Sequence, residues 1–333
     1  EIKEFKIKMS TSSASLSLLS VISLLSFFVV LLTNKFSYKI KNGALLDIDF
    51  NKPQAFHQNP TARSGGLASF ISLSLFFVLY YFLFEKVLID YLALTIAMFF
   101  LGFLEDLKLS IRAIYRLLIM SIFLYLFIFF FSINIISLDL NFLNLWMKNW
   151  FFSSFFILIC FLFIINGANL IDGFNGLLTI HLLIVNFILL YINLNNENQD
   201  LAMIITAQIV VLISFLLFNF PKATMFLGDS GSYLFGSLVA LNIINTNNLN
   251  PQISSFFFCI LLFYLFFEVF FSFFRKLSLK KSPLKPDRSH LHMLTFSFLV
   301  NSLKFKDSNY LNSLLINAIY TSLILPAVFF QDN

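Results

Sequence analysis

Apolar runs of about 17 or more residues recur along the whole chain, and no other feature narrows its fold so far. A run of that length, rising 1.5 Å per residue as a helix, crosses the hydrocarbon core of a bilayer. Spaced as they are, the runs leave no stretch long enough for a separate soluble domain. Composition agrees: 59% of residues are hydrophobic and 12% charged, against roughly 45–50% and 25% in soluble domains. The sequence therefore predicts an all-α, polytopic integral membrane protein, with residues 1–333 as one transmembrane domain. Ten spans are expected, at roughly 16–33, 66–84, 87–104, 114–131, 150–165, 177–194, 201–220, 231–247, 252–274 and 311–330. The first run is not read as a signal peptide, because Lys35, Lys39 and Lys41 follow it where a small-residue cleavage site would stand. Cys160 and Cys259 both fall inside apolar runs, so no disulfide framework and no cysteine metal site is expected.

Charge sorts the connections into two sides. The loops 34–65, 105–116, 166–176, 221–230 and 275–310 carry 17 of the 22 Lys and Arg residues. The positive-inside rule puts these loops in the cytoplasm and both termini outside. Trp146 and Trp150 fit an aromatic anchor at the opposite interface. The cytoplasmic side also holds His57, His290, His292, Glu105, Asp106, Asp172, Asp229 and Asp287, while mid-span polar content is thin, with His181 and Glu268 the main residues. A carboxylate inside a span needs a partner, and Arg275, two turns along the same helix face, is the expected one for Glu268.

Five polar clusters lie on that side. The central one is Asn166-Gly-Ala-Asn169-Leu-Ile-Asp172-Gly173-Phe-Asn175-Gly176-Leu177, set between two apolar runs. Alone it is as readily a turn as a site, since Asn, Asp and Gly are turn residues. A second, from His57 to Gly66, includes Arg63, which can bind a phosphate in forked geometry. A third is Glu105-Asp106, at the end of a span and followed by Lys108, Arg112 and Arg116. One or two carboxylates with phosphate oxygens and water suffice for magnesium. In the fourth, from Asn219 to Ser232, Gly228 and Gly231 flank Asp229 just before a helix. Free N–H groups there favour anions, although Asp229 or Ser230 would equally serve as a cap. The fifth runs from Lys280 to His292, a basic loop stiffened by Pro283 and Pro286 with His290 and His292 alternating. Together the five describe a magnesium and polyphosphate site at the cytoplasmic surface.

The order and wording of these motifs resemble the polyprenyl-phosphate N-acetylhexosamine-1-phosphate transferases, which begin O-antigen, teichoic-acid and peptidoglycan lipid carriers. The resemblance runs from about residue 49 to 293. Asn166–Leu177 is similar to the family's Asn-x-x-Asn-x-x-Asp-Gly-x-x-Gly-Leu signature, and Phe226-Leu-Gly-Asp229-Ser-Gly-Ser to its Gly-Asp-x-Gly-Ser signature. Pro286-Asp287-Arg288-Ser-His290-Leu-His292 resembles the branch that uses UDP-N-acetylglucosamine. The resemblance implies ten or eleven transmembrane helices in a bacterial inner membrane and an active site facing the cytoplasm. It also implies magnesium-dependent transfer, manganese substituting, of a sugar 1-phosphate from a UDP-sugar to a polyprenyl phosphate, with release of UMP. Carried over by position, Asp229 would ligate the magnesium, with Asp106 beside it. Asn169 and Asp172 would line the nucleoside site, Phe226 stacking on uracil and Asn219 and Asn175 hydrogen-bonding nearby. Arg63, Arg288, His290 and His292 would hold phosphates or sugar. The expected partners are the two substrates and the lipid bilayer, with a homodimer allowed and no nucleic acid.

Four positions depart from the family pattern. Glu105-Asp106 stands for paired aspartates, Met293 for a third histidine, Gln54-Ala55 for a basic pair before His57, and Glu268 for the aspartate of the ninth span. The acceptor phosphate, with a second pKa near 6, is mostly a dianion near neutral pH. Attack at phosphorus then requires positioning and neutralised oxygens more than a base. Glu105 and Asp106 are accordingly expected to orient metal or nucleophile, and His290 to assist. Two other readings stand beside this one: a transporter or flippase for a phosphorylated lipid or anion, and a catalytically silent relative that scaffolds a glycan complex.

Overall fold

The computed structural model describes residues 2–40, 43–48, 59–109, 111–282, 289–305 and 308–329, with the backbone alone for 2–12. His57, Gln54, Ala55, Asp287 and Arg288 lie outside the described residues. The apolar runs form helices α1 (Ile2–Ser37), α2 (Gly65–Phe84), α3 (Ile89–Asp106), α4 (Ala113–Phe130), α6 (Trp150–Ile171), α7 (Leu177–Asn195), α8 (Gln199–Asn219), α9 (Gly228–Leu249) and α13 (Ser308–Phe329). Shorter helices are α5 (Asn141–Met147), α10 (Ser255–Leu261), α11 (Phe263–Ser278) and α12 (Leu291–Asn301). The fold is all-α and polytopic.

Seven of these helices are long and apolar enough to cross a membrane, and eight if α10 and α11 form one span bent by 66°. The expected count of ten is therefore not reproduced on length and composition. α3 and α9 have the length, and α3 ends in two carboxylates while α9 is rich in Ser and Asn. These two helices pack most extensively on each other, and α9 is covered by protein along almost its whole length. A helix shielded by neighbours need not itself be apolar. Small residues let it approach them closely: a Cβ on Gly102 of α3 would overlap the backbone of Asp229 and Ser230 at the start of α9.

Mid-span polar content is richer than the charged residues suggest. Asn242 of α9 accepts from Tyr91 Oη (3.0 Å) and donates to Gln208 Oε1 (2.8 Å) and Asn186 Oδ1 (3.3 Å). A turn later, Asn193 Nδ2 donates to Thr246 Oγ1 at 2.8 Å. These groups satisfy one another inside the helix bundle, as buried polar atoms must, and fasten α9 to α3, α7 and α8. The expected ninth span breaks at Leu262 without Pro or Gly. Tyr320 of α13 takes up the carbonyl of Leu261 with its hydroxyl, removing an acceptor from the helical ladder where the chain turns.

Two expected loops differ. α6 does not stop at residue 165 but continues to Ile171, so Asn166 and Asn169 are helical and one turn apart. The turn proper is 172–176, closed by Gly176 at φ 77°. The 34–65 connection contains a hairpin of β1 (Leu46–Asp47) and β2 (Thr61–Ala62). Beyond it the backbone runs along residues 225–227: Phe226 N donates to Ala62 O, Gly65 N to Phe226 O and Gly66 N to Leu227 O, at 2.7–3.0 Å. That ribbon carries Arg63 to the start of α9.

Candidate active site

Clusters far apart in sequence meet at one end of the helix bundle. The meeting point is the first turn of α9, whose N–H groups have no partner within the helix. Asp106, at the end of α3 and buried, supplies it: Oδ1 accepts from Asp229 N and Oδ2 from Ser230 N, each at 3.0 Å, and the Ser230 hydroxyl donates to Oδ2 as well. A carboxylate there also complements the positive end of the helix dipole. Gly228 takes φ 77°, and a Cβ on it would collide with the Asp106 carboxylate.

With Asp106 so engaged, Asp229 is the more open carboxylate, its side chain 17% exposed. Its Oδ1 lies 3.3 Å from Arg63 Nη2 and accepts from Asn169 Nδ2 at 3.1 Å, while Oδ2 accepts from Arg116 Nη1 at 2.9 Å. Arg63 also contacts Asp106 Oδ1 (3.3 Å) and Asp47 Oδ2 (3.8 Å), and Arg116 contacts Glu105 Oε2 (3.4 Å). Burial alone would lower the Arg63 pKa, but Asp106, Asp229 and Asp47 outweigh it and raise the value. Asp172 follows α6 and accepts from Gly228 N–H. Burial, helped by Asp229 and Asp106 and opposed by Arg63, pushes it up to about 7.

Five carboxylates (Asp47, Glu105, Asp106, Asp172, Asp229) thus face two guanidinium groups. These hard oxygen donors fit a divalent cation. Among the described residues, however, no three His, Cys, Asp or Glu side chains already converge as a metal cluster. Asp229 is the residue that fits as a ligand. Asp106, expected beside it as a second ligand, has its oxygens turned to the α9 backbone N–H groups.

The expected nucleoside residues divide into two groups. Asn169 sits with Asp229 and also donates to Ser232 Oγ at 3.0 Å. Asn219 accepts from Gly176 N (2.6 Å) and donates to Met225 O (2.8 Å), tying the 172–176 turn to the start of α9. Asn175 Nδ2 donates to Pro221 O at 2.9 Å, and its N–H to Asn309 Oδ1 at 2.8 Å. Phe226 is half-buried between Ala62 and Gly65, which its backbone bonds.

A second centre adjoins the first across Gly173. Glu268, fully buried on α11, meets the two histidines and not Arg275, the partner expected from helix spacing. His290 Nδ1 lies 3.0 Å from Glu268 Oε2, and His292 Nδ1 lies 3.1 Å from Oε1. The imidazoles stack at 5.4 Å with planes 11° apart, and Phe174 stands edge-on to His292. Burial lowers the His292 pKa, against the pull of Glu268. The other mid-span residue, His181, packs between the rings of Tyr264 and Tyr320 as a helix–helix contact.

Between α4, α6, α9 and α11 lies a cavity of about 410 Å³. Arg116, Asn169 and Lys276 mark its polar end and Met120, Leu162 and Phe273 its apolar wall. Lys276 is buried although it follows Arg275 at the end of an apolar run, where no local pattern marks it for a site. Arg116, in sequence only a charge flanking Glu105-Asp106, is drawn onto Asp229.

The sequence model of glycosyl transferase family 4 matches residues 88–247, from α3 into the last turn of α9, and hence Asp106, Asn169, Asp172 and Asp229. An undecaprenyl-phosphate alpha-N-acetylglucosaminyl 1-phosphate transferase of Thermotoga maritima is 34% identical over 137 residues, 41% of each chain. A phospho-N-acetylmuramoyl-pentapeptide-transferase of Leuconostoc mesenteroides is 42% identical over 79 residues, 24% of this chain and 25% of that one. The corresponding transferase of Dictyoglomus turgidum is 31% identical over 237 residues, 67% of this chain and 73% of its own length. With so much of both chains aligned, and with the family model lying over the helices that build the site, the chain belongs to glycosyl transferase family 4.

Proposed function

We propose that the protein transfers N-acetylhexosamine 1-phosphate, GlcNAc 1-phosphate foremost, from a UDP-sugar to a polyprenyl phosphate and releases UMP. The observation that carries this reading is Asp229 held between Arg63 and Arg116 beside an apolar-walled cavity whose polar end holds Lys276. A lipid phosphate needs both halves of such a site: cations for its head and hydrocarbon for the start of its chain. The name of the Thermotoga relative includes an undecaprenyl phosphate and an N-acetylglucosaminyl 1-phosphate, and that of the Dictyoglomus relative a phospho-N-acetylmuramoyl-pentapeptide.

Arg116 and Lys276 would receive the acceptor phosphate, and Arg63 the donor diphosphate. Asp229 would hold magnesium, which would supply charge neutralisation at the diphosphate oxygens. An oxygen of the acceptor phosphate attacks the β-phosphorus and the bond to UMP breaks. Asp106 fixes Asp229 from behind. Glu105, through Arg116, sets the position of the cation that meets the acceptor. Asn169 and Asp172 floor the nucleoside side with Phe226 at its rim, and Arg288, His290 and His292 close the site over phosphate or sugar. The 17 Lys and Arg residues in the loops of this side support a reading in which it faces the cytoplasm of a bacterial inner membrane.

The test uses purified full-length protein with magnesium, a polyprenyl phosphate and a panel of UDP-N-acetylhexosamines, scored for UMP. Release with one or more sugars is expected. A folded, monodisperse preparation that releases UMP with none of them would overturn the reading in favour of a transporter or a silent scaffold.

A further inference from the structure

We propose that Glu268 is a positioning residue that puts a hydrogen on Nδ1 of both His290 and His292 and turns both Nε2 atoms away from itself. The argument is one of hydrogen-bond polarity. An ionised carboxylate only accepts, with lone pairs on both oxygens. Glu268 is fully buried, and each oxygen faces one Nδ1, at 3.0 and 3.1 Å. Both Nδ1 atoms must therefore carry hydrogen. One carboxylate then sets two rings at once, which explains their stacking at 5.4 Å. Two imidazolium ions so close would repel each other, so at least one ring stays neutral.

The consequence falls on His292 Nε2. It is buried, has no hydrogen-bond partner among the described residues, and lies over Gly173, where a Cβ would come within 3.8 Å of it. In the neutral Nδ1–H tautomer this atom offers a lone pair, so it suits a group that donates a hydrogen bond. It serves a phosphate oxygen only after taking up a further proton. Asn312 supports the arrangement from α13 by donating to His292 O at 2.9 Å. Without Glu268 no described side chain fixes the tautomer of His292.

The significance of this clamp for turnover rests on the transferase reading above, whereas the tautomers do not. The measurement is magic-angle-spinning NMR of the full chain, ¹⁵N-labelled at histidine and reconstituted in lipid, comparing wild type with Glu268→Gln and Glu268→Asp. Wild type is expected to show both rings as Nδ1–H. In Glu268→Gln the amide oxygen accepts from one Nδ1–H, but its NH2 must donate to the other Nδ1, so one ring is driven to Nε2–H. Glu268→Asp keeps two acceptor oxygens and is expected to restore the wild-type pattern. UMP release should fall about 10- to 100-fold in Glu268→Gln, as losses of supporting hydrogen bonds commonly do, and recover largely in Glu268→Asp. Should Glu268→Gln fail to fold, the wild-type and Glu268→Asp spectra still decide the tautomers. An Nδ1 without hydrogen on either clamp histidine in wild type would overturn the proposal, as would a switched tautomer with unchanged turnover. The expected spectra from a protein that turns over no UDP-sugar would leave the clamp standing and remove the transferase reading instead.

Discussion

Replacing Asp172 by asparagine should stabilise the protein while impairing it, and the gain should grow with pH. In the folded protein the Asp172 carboxyl titrates near 7, against 3.8 when free of its surroundings, because of burial first and then Asp229 and Asp106. A raised carboxylate pKa means that the native state holds a proton which the unfolded chain gives up. Stability is therefore lost as pH climbs from about 4 to about 7, and no further change follows above that. The full shift corresponds to roughly 4 kcal/mol, at about 1.4 kcal/mol per pKa unit. Over the working range of pH 5 to 8 it amounts to about 2–3 kcal/mol. Asparagine keeps an oxygen for the Gly228 N–H and removes the charge. Thermal unfolding in detergent with a chelator present, so that no cation offsets the charge, should show Asp172→Asn melting above wild type. The difference should be several degrees larger at pH 8 than at pH 5. UMP release should drop at every pH. Equal melting at both pH values, or a greater advantage at pH 5, would refute the assignment of repulsion and burial to this carboxyl.

Three further substitutions separate roles that the sequence motifs run together. Asn219→Ala removes two hydrogen bonds between the 172–176 turn and Met225 and leaves their backbone partners unpaired. It should cost about 2–3 kcal/mol in thermal or denaturant unfolding with little change in KM for the UDP-sugar. A raised KM with intact stability would instead return Asn219 to the nucleoside site. Arg63→Ala takes from the buried Asp106 the cation that contacts it, leaving Asp229 but not Asp106 in contact with Arg116, and should destabilise by about 2–4 kcal/mol, with Arg63→Lys recovering part of this. Lys276→Ala should raise KM for polyprenyl phosphate roughly tenfold, equivalent to about 1.4 kcal/mol, while leaving that for the UDP-sugar unchanged. Steady-state kinetics with each substrate varied in turn reads both.

The helices were legible because hydrocarbon admits few alternatives, and the meeting of the clusters followed from their falling on one side. What the sequence hid depends on direction. Periodicity showed that Glu268 and Arg275 share a helix face, yet Glu268 turns across to His290 and His292, a pairing over 22 and 24 residues that no local spacing encodes. The continuation of α6 to Ile171 was hidden by its composition, because Asn and Gly within Asn166–Ile171 look like a turn until protein packs around them. The asparagines of α9 escaped notice for the opposite reason: uncharged, they look harmless in a span, but Asn242 joins three neighbouring helices through its one amide.

The paired carboxylates show how the structure revises a motif without discarding it. At the sequence level Glu105 and Asp106 look like equivalents, and the glutamate looks like a loosened copy of an aspartate. In the fold the two residues point to different tasks. Asp106 is built into the protein: its reach is set by the N–H groups of Asp229 and Ser230 and by the close passage of Gly102 and Gly228, so one added methylene would collide with the α9 backbone. Glu105 reaches sideways to Arg116, across a 3.4 Å contact that a longer side chain can make as well as a shorter one. Substitution between aspartate and glutamate should therefore be tolerated at the first position and not at the second. Glu105→Asp is expected to keep UMP release within a few-fold of wild type. Asp106→Glu should lose most activity together with about 2–4 kcal/mol of stability, from overpacking and strained capping. If the two swaps proved equally mild in paired unfolding and turnover measurements, Asp106 could not be the fixed support of Asp229 that its hydrogen bonds describe.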